Sequence, residues 1–336
     1  MKWRNKVWLI AGVMVAVLAM SGCVGQEKNK KTGEGQQVVR IAIQPSCAFL
    51  PLYVARENGW MEEAMQEIGV QVEWTDFESG PPMNESMATG KQDIAVMGDV
   101  PAVANLAAGQ KSTLIAAETG MQAYALLVTN ESGIQSVADL KGKKIAAVVG
   151  STAQNLTQKL LVQAGVAPQD VTLVNMGAGD ALSMLQNGEI AAVASWEPNV
   201  SRLASMEGIR ILADGSRVDF RAENVLMARS EYLQSHSEVV KVFLQQYVRG
   251  IIALEQNPQD CAEKVAKYFG LDAQLLAATI SKYGYVMKFE AEDVAALQDT
   301  VQFLLDSGNI QKGVEVKEHV DDSLVRKVLQ ETGKDK

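Results

Sequence analysis

Residues 70–108 read VQVEWTDFESGPPMNESMATGKQDIAVMGDVPAVANLAA and contain two successive strand–turn–helix units. Residues 70–77 alternate apolar and polar side chains as a strand does, and ESGPP at 78–82 then opens a helix with proline in its first turn. Residues 93–97 predict a buried strand, which GDVP at 98–101 joins to a further helix. Strands that alternate with helices in this way are typical of an α/β fold with a largely parallel sheet.

The same alternation continues on both sides of this stretch. Upstream, a strand at 38–43 precedes a helix at 49–58, and downstream strands recur from residue 145 to residue 228. Residues 38–336 are more than one hydrophobic core usually holds. We therefore predict two lobes, with lobe one formed by residues 38–127 plus 225–336 and lobe two by residues 128–224. Two crossings between the lobes would make a hinge.

The chain begins with basic residues, continues with an apolar stretch at 7–20, and reaches Cys23 through Ser21 and Gly22. That order indicates a secretory signal peptide at 1–22, because the apolar stretch is shorter than the roughly 20 residues of a membrane-spanning helix. The residues before Cys23 resemble the lipobox of bacterial lipoproteins, which implies cleavage before Cys23 and acylation of its thiol. An ordinary cleaved signal or an uncleaved anchor are the alternatives. Residues 25–37 contain nothing apolar, so we predict a flexible tether at 23–37.

Composition excludes several classes of function. Without residues 1–22, which hold three positive charges, 28 Lys and Arg remain against 40 Asp and Glu, so we expect no nucleic-acid partner. His236, His319 and the cysteines show no metal-ligand spacing, and no catalytic or cofactor motif stands out. Cys47 and Cys261 would form one disulfide or stay as two thiols, and we read Cys47 as a wall of the pocket rather than a nucleophile.

The loops that follow the predicted strands indicate where a ligand would bind, because open α/β sheets bind ligands outside the carboxyl ends of their strands. Six such loops span 44–47, 78–82, 98–101, 150–152, 177–180 and 196–198. They contain acids and hydroxyls but no lysine or arginine, and free N–H groups at helix starts can hold an anion without a basic side chain. The candidate ligand-binding residues are Gln44, Ser46, Glu78, Ser79, Gly80, Gly98, Asp99, Ser151, Thr152, Trp196 and Glu197. Each hydroxyl or acid among them could instead only cap its own helix.

Several motifs carry a family resemblance that spans nearly all of residues 38–330. They are PLYVARENG at 51–59, FESGPP at 77–82, MGDVP at 97–101, SVADLKGKKIA at 136–146, GST at 150–152 and WEP at 196–198. Together they resemble the solute-binding proteins of nitrate, sulfonate and taurine type ABC importers, the SsuA/TauA-like group. The resemblance implies a type II periplasmic-binding-protein fold that closes on a small solute. It also implies a monomer outside the cytoplasmic membrane, either lipid-anchored or periplasmic, that delivers the solute to a membrane permease.

The resemblance leaves the solute open. A small anion or zwitterion of the sulfonate or taurine kind is the first expectation; thiamine-pyrimidine precursors, nitrate and bicarbonate are the alternatives. Sulfonate-binding relatives often have threonine and proline where Val100 and Ala102 stand, and histidine where Gln154 stands. Glu197 beside Trp196 would suit an amine, or it could be only an acid at a helix start. An enzyme on this fold would need histidine and cysteine clusters, and a ligand-sensing module would normally be fused to a signalling domain.

Overall fold

A computed structural model describes residues 37–119 and 123–335 of the chain. The predicted signal peptide, Cys23 and all of the tether except its last residue lie outside the described residues. The strands are β1 Gln37–Ile43, β2 Val70–Asp76, β3 Ile94–Gly98, β4 Ser112–Thr119, β5 Tyr124–Thr129, β6 Lys144–Ala147, β7 Thr172–Asn175, β8 Ala192–Trp196, β9 Ile209–Asp214 and β10 Glu223–Arg229.

Helices cover both faces of the sheets that these strands form. They are α1 Leu50–Glu57, α2 Trp60–Glu67, α3 Gly80–Ala88, α4 Asp99–Ala107, α5 Thr152–Gln163, α6 Ala178–Gln186, α7 Asn199–Ala204, α8 Ser230–Ser235, α9 Ser237–Gln256, α10 Pro258–Phe269, α11 Ala273–Thr279, α12 Ala291–Asp306 and α13 Ser323–Thr332. Among the described residues, none of these helices combines the length and the apolar character that crossing a membrane requires.

The strands form two separate five-stranded sheets, which define the two lobes. The first sheet has the order β2-β1-β3-β10-β4 and the second has the order β7-β6-β8-β5-β9. The predicted two-lobed α/β architecture is therefore confirmed. The first crossing lies a few residues before the predicted boundary at 127/128, because β5, which contains residues 124–127, lies wholly in the second sheet. In the same way β10 joins the first sheet from Glu223, two residues earlier than predicted.

Each sheet is mixed: four of its five strands run in one direction, in line with the expected largely parallel sheet, and one strand runs against them. In lobe one, β1 runs parallel to β2 and β3, whereas β10 runs antiparallel to β3 and β4. Lobe two repeats this pattern, with β5 antiparallel to both β8 and β9. The reason is connectivity: β5 and β10 are the strands through which the chain enters each lobe from the other. Both start beside the carboxyl ends of parallel strands, where Tyr124 pairs with Trp196 and Asn224 with Gly98, and so they run in the opposite direction.

The main core of lobe one lies between the first sheet and helices α1 and α9. Tyr53 of α1 and Phe243 of α9 are both fully buried there. Gly250 brings the two helices into direct backbone contact, because a Cβ built at this position would lie 2.1 Å from the carbonyl oxygen of Pro51. Glycine is therefore required by packing at this point, although it is a poor helix former.

Replacing Gly250 with alanine should destabilise the protein by about 1–2 kcal/mol, measured by urea unfolding. The added methyl group meets backbone atoms of Pro51, which overpacks a rigid contact and outweighs the helix propensity that alanine gains. Gly179 of α6 is the matched control, since a Cβ there meets nothing within 4 Å. Gly179→Ala should be neutral or slightly stabilising, and equal effects at the two glycines would contradict the packing argument.

Candidate functional site

One small cavity lies between the two lobes, at the carboxyl ends of β1, β3 and β8. It is lined by Gln44, Ser46, Gly80, Gly98, Pro101, Tyr124, Ser151, Thr152 and Trp196. Seven of these nine residues belong to the set that the sequence indicated as candidates for ligand binding. The enclosed volume is about 20 Å³, enough for one or two water molecules, so the two walls nearly touch.

Two serines on the cavity wall also hold the loops on which they lie. The Ser46 hydroxyl accepts a hydrogen bond from the backbone N–H of Ala48 at 3.3 Å, at the start of a 3₁₀ turn. The Ser151 hydroxyl accepts one from the N–H of Gln154 at 3.3 Å and donates one to the carbonyl of Val148 at 2.7 Å. Capping and lining the cavity are therefore compatible roles for these residues.

Two glycines allow the walls of the cavity to approach each other. A Cβ at Gly80 would lie 2.3 Å from the ring of Pro101, and a Cβ at Gly98 would lie 2.4 Å from the Thr152 hydroxyl. Helices α3 and α4 start beside these glycines, and neither start is capped by the side chain of its N-cap residue. Backbone N–H groups at such starts favour negative charge, and α5 contributes a third helix start from the other lobe.

Asp99 connects the two lobes next to this cavity. Its carboxylate accepts hydrogen bonds from Thr152 of lobe two at 2.5 Å and from Thr300 of α12 at 2.7 Å. Burial raises the pKa of Asp99 above the usual carboxyl value, and the two hydroxyl donors act in the opposite direction. Both carboxylate oxygens accept hydrogen bonds from the protein itself, so Asp99 stabilises the contact between the lobes.

Glu197 forms a second connection between the lobes. Its side chain is fully buried, forms an ion pair with Lys282, and accepts hydrogen bonds from the N–H of Ser201 at 3.0 Å and from its hydroxyl at 2.9 Å. Its backbone carbonyl also accepts a hydrogen bond from the N–H of Cys47 at 3.2 Å. Contacts from both lobes therefore hold Glu197 in place, next to Trp196 on the cavity wall.

Four of the eleven candidate residues, Glu78, Ser79, Asp99 and Glu197, do not line the cavity, and Asp99 and Glu197 lie beside it. Glu78 is exposed to solvent, and Ser79, although buried, makes no side-chain cap to α3. The loop at 177–180 opens α6 in lobe two, and Asp180 is exposed in the first turn of that helix. Five of the six predicted loops thus contribute residues to the cavity or to its border.

Two residues that matter here, Tyr124 and Lys282, have no local signal in the sequence. Tyr124 lines the cavity and donates a hydrogen bond from its hydroxyl to Asn224 at 2.9 Å. Lys282 lies 85 residues from its ion-pair partner, so no local spacing connects them. Pro101, in contrast, lies in the loop at 98–101, so the sequence does offer it as a candidate residue of the site.

A buried carboxylate lies behind Tyr124. Glu118 of β4 pairs in register with Asn224 and is 1 % exposed, and neither of its carboxylate oxygens has a hydrogen-bond partner among the described residues. Burial raises the pKa of Glu118 well above the usual carboxyl value, and the nearby hydroxyl of Tyr247 offsets this only in part. The folded protein therefore holds a proton on Glu118 at pH values where the unfolded chain has lost it.

Glu118→Gln should make the protein more stable than the native chain by an amount that grows with pH. A raised pKa in the folded state means that Glu118 contributes its full stability only below the unfolded value near 4.5 and loses it as pH rises through the folded value. Urea unfolding at pH 4.0 and pH 7.5 measures the difference. Glu189→Gln, at an exposed position, is the control and should change little at either pH. A pH-independent effect of Glu118→Gln would contradict this assignment.

The remaining chemistry of the described residues is limited. Cys47 and Cys261 are both buried free thiols. Of the two alternatives, one disulfide or two thiols, the structure therefore has two thiols. Burial raises the pKa of the Cys47 thiol, which keeps it protonated and unreactive. Within residues 37–119 and 123–335, no group of three or more His, Cys, Asp or Glu side chains is placed to hold a metal ion.

The chain is similar in sequence to one family model and to several known proteins. The family model described as NMT1/THI5 like matches residues 46–261. A protein of Bacillus subtilis (strain 168) named "Putative aliphatic sulfonates-binding protein" is 32% identical over 95% of this chain and 96% of its own length. The taurine-binding periplasmic protein of Escherichia coli (strain K12) is 26% identical over 82% of this chain and 88% of its own length.

A solved structure shows the same architecture. The periplasmic aliphatic sulphonate binding protein SsuA from Escherichia coli superposes with a TM-score of 0.74 at 25% identity, over 85% of this chain and 92% of that protein. The agreement covers both lobes, and the matched family segment contains most of the residues that line the cavity. The chain belongs to the NMT1/THI5-like family, in its SsuA/TauA-like group of solute-binding proteins.

Proposed function

We propose that this protein is the substrate-binding component of an ABC importer and that it captures a small sulfonate between its lobes. Relatives that bind aliphatic sulfonates and taurine support the role and the class of solute. The observation that carries the proposal is the interlobe cavity, at which loops from both lobes and three helix starts converge without any lysine or arginine. Such a site suits a compact anion held by backbone N–H groups.

The cavity must widen to admit this solute. A sulfonate group is larger than the enclosed space of about 20 Å³. The contacts that have to open for entry are those between the lobes, above all the hydrogen bond from Thr152 to Asp99, which re-forms when the lobes close. We propose that the solute binds one lobe while these contacts are open and that closure then buries it, because only a solute with higher affinity for the closed form favours closure.

Binding without chemical conversion fits the residues around the cavity. An enzyme that used a thiol nucleophile would need an ionised cysteine and a base, but burial raises the pKa of Cys47. Neither His236 nor His319 is among the residues that line the cavity. We therefore propose a binding protein and not a catalyst.

Delivery at a membrane completes the proposed role. We propose that the chain is exported, that Cys23 is acylated, and that the tether at residues 23–37 keeps the folded body near its permease. The support is the order of residues in the leader, with small residues directly before Cys23. Radiolabelled palmitate incorporated into the native protein, and absent from a Cys23→Ala variant, tests the anchor.

A thermal-shift panel on the protein from residue 24 onward tests the solute. Alkanesulfonates, taurine, nitrate, bicarbonate and thiamine pyrimidines would each be added, with sulfate at the same ionic strength as the control. A solute at 100 times its dissociation constant adds about 2.7 kcal/mol of stability, which raises the melting temperature clearly. A selective shift with sulfonates supports the proposal. A shift with nitrate, bicarbonate or a pyrimidine alone would identify that compound, and not a sulfonate, as the solute. No shift with any compound of the panel would refute all of these solutes together.

A further inference from the structure

Lys282 lies in the C-terminal part of the chain but reaches the residue next to the cavity wall. It ends a 3₁₀ turn at Ile280–Lys282, and its ammonium group donates to the carboxylate of Glu197. The Glu197 side chain is fully buried and that of Lys282 is 27 % exposed. The two groups form an ion pair at the junction between the lobes.

Lys282 is the group that compensates the charge of Glu197. The other donors to this carboxylate are the N–H and hydroxyl of Ser201, which carry no charge. In the part of the chain that the structure describes, Lys282 is the only cation within ion-pair distance of Glu197. Without Lys282 the Ser201 N–H and hydroxyl would still donate to Glu197 and stabilise its charged form, so the carboxylate would keep an uncompensated charge in a poorly screened environment.

That charge would act on the cavity directly. Glu197 follows Trp196 on the cavity wall, and its carbonyl bonds the N–H of Cys47, which follows Ser46 on the opposite wall. No lysine or arginine lines the cavity to counteract a negative field. Two unit charges about 10 Å apart at an effective dielectric constant of about 20 change an affinity by roughly tenfold.

We infer that Lys282 determines the charge selectivity of the solute site. By neutralising Glu197 it lets the cavity hold an anionic head group, and it also denies the cavity a free carboxylate for an ammonium group on the solute. The site therefore prefers a sulfonate with an uncharged tail over an amino-sulfonate of the same size. This inference rests on the proposed function, since it assumes that the cavity binds a sulfonate.

Propanesulfonate and taurine are the matched probes, because they have similar size and differ by a terminal methyl or ammonium group. Their dissociation constants would be measured by calorimetry for the native protein and for Lys282→Met, Lys282→Arg, Glu197→Gln and the double variant Glu197→Gln/Lys282→Met. Lys282→Met should weaken propanesulfonate about tenfold and taurine much less, so that the preference moves toward taurine. Lys282→Arg keeps the charge and should keep the preference.

The double variant separates charge from structure. It lacks the ion pair but also lacks the uncompensated charge, so propanesulfonate affinity should return to within about threefold of the native value. If Lys282→Met does not fold, Glu197→Gln decides, since it leaves Lys282 uncompensated and should shift the preference toward propanesulfonate. An unchanged ratio of the two affinities in a folded single variant overturns the inference alone. Failure of the native protein to bind either sulfonate overturns the proposed function and the inference with it.

Discussion

Replacing Gly98 with alanine is expected to weaken solute binding by about 100-fold while both lobes stay folded. The new Cβ would lie 2.4 Å from the Thr152 hydroxyl, so Thr152 must move away and give up its hydrogen bond to Asp99. The backbone of Gly98, at φ −69° and ψ 168°, is open to alanine, so lobe one itself is not strained. The cost therefore falls on the closed arrangement of the lobes. Affinity falls with the population of that arrangement, and calorimetry with the solute found in the panel measures it.

Gly177 provides the matched control for this experiment. It is also the N-cap glycine of a helix, with φ −75° and ψ 161°, but a Cβ there meets nothing within 4 Å. Gly177→Ala should bind the solute like the native protein. If Gly98→Ala and Gly177→Ala bind equally well, the contact between Gly98 and Thr152 is not part of the binding-competent state.

Asp93→Ala is expected to destabilise the protein by about 3–5 kcal/mol without altering solute affinity in the molecules that remain folded. The Asp93 side chain is 1 % exposed and accepts hydrogen bonds from the backbone N–H of Arg40 at 3.0 Å and from the guanidinium of Arg229 at 2.7 Å. It thereby ties β3 to β1 and β10. Removing it leaves the backbone N–H of Arg40 and the guanidinium groups of Arg40 and Arg229 without their shared partner. Urea unfolding measures the loss.

An exposed ion pair sets the scale for that result. Asp260 pairs with Lys264 one turn along α10, and both side chains are about half exposed. Asp260→Ala should cost less than about 1 kcal/mol, because solvent screens the pair. A similar loss for Asp93→Ala would mean that burial does not decide the strength of this contact. Asp93 also lies at the opposite end of β3 from Gly98, which is why its loss should not change affinity.

Local patterns predicted most of the fold because each lobe is built from short strand–turn–helix units. The loops at 44–47, 98–101 and 150–152 were identified because glycines, hydroxyls and prolines interrupt apolar runs there, and the structure brings them to one cavity. Two of the four edge strands, β4 and β9, were not predicted, whereas the edge strands β2 and β7 were. Each has as its neighbouring strand the one that enters from the other lobe, so its position is set by connectivity rather than by local sequence.

Contacts between residues distant in sequence were not predictable from the same patterns. Spacing indicates that Glu197 begins a helix, but only the packed structure shows that Lys282 neutralises it. Asp99 could be recognised as an acid at a helix start, whereas its bonds to Thr152 and Thr300 depend on how the lobes meet. The interpretation of Glu197 as an amine partner followed from its position beside Trp196, whereas the structure pairs its carboxylate with Lys282.

The strand order of the two sheets also fixes the order in which a growing chain can complete them. All five strands of the second sheet lie between Tyr124 and Asp214, so lobe two has its full sheet as soon as that stretch has been made. In the first sheet β4 has β10 as its neighbouring strand, and β10 arrives more than a hundred residues later; a single bridge from Leu114 of β4 to Val320 comes later still. During synthesis or export, the first sheet therefore keeps an unpaired edge while lobe two folds. The part of the molecule made first is the last to be finished, and that interval exposes unpaired backbone to chaperones and to aggregation.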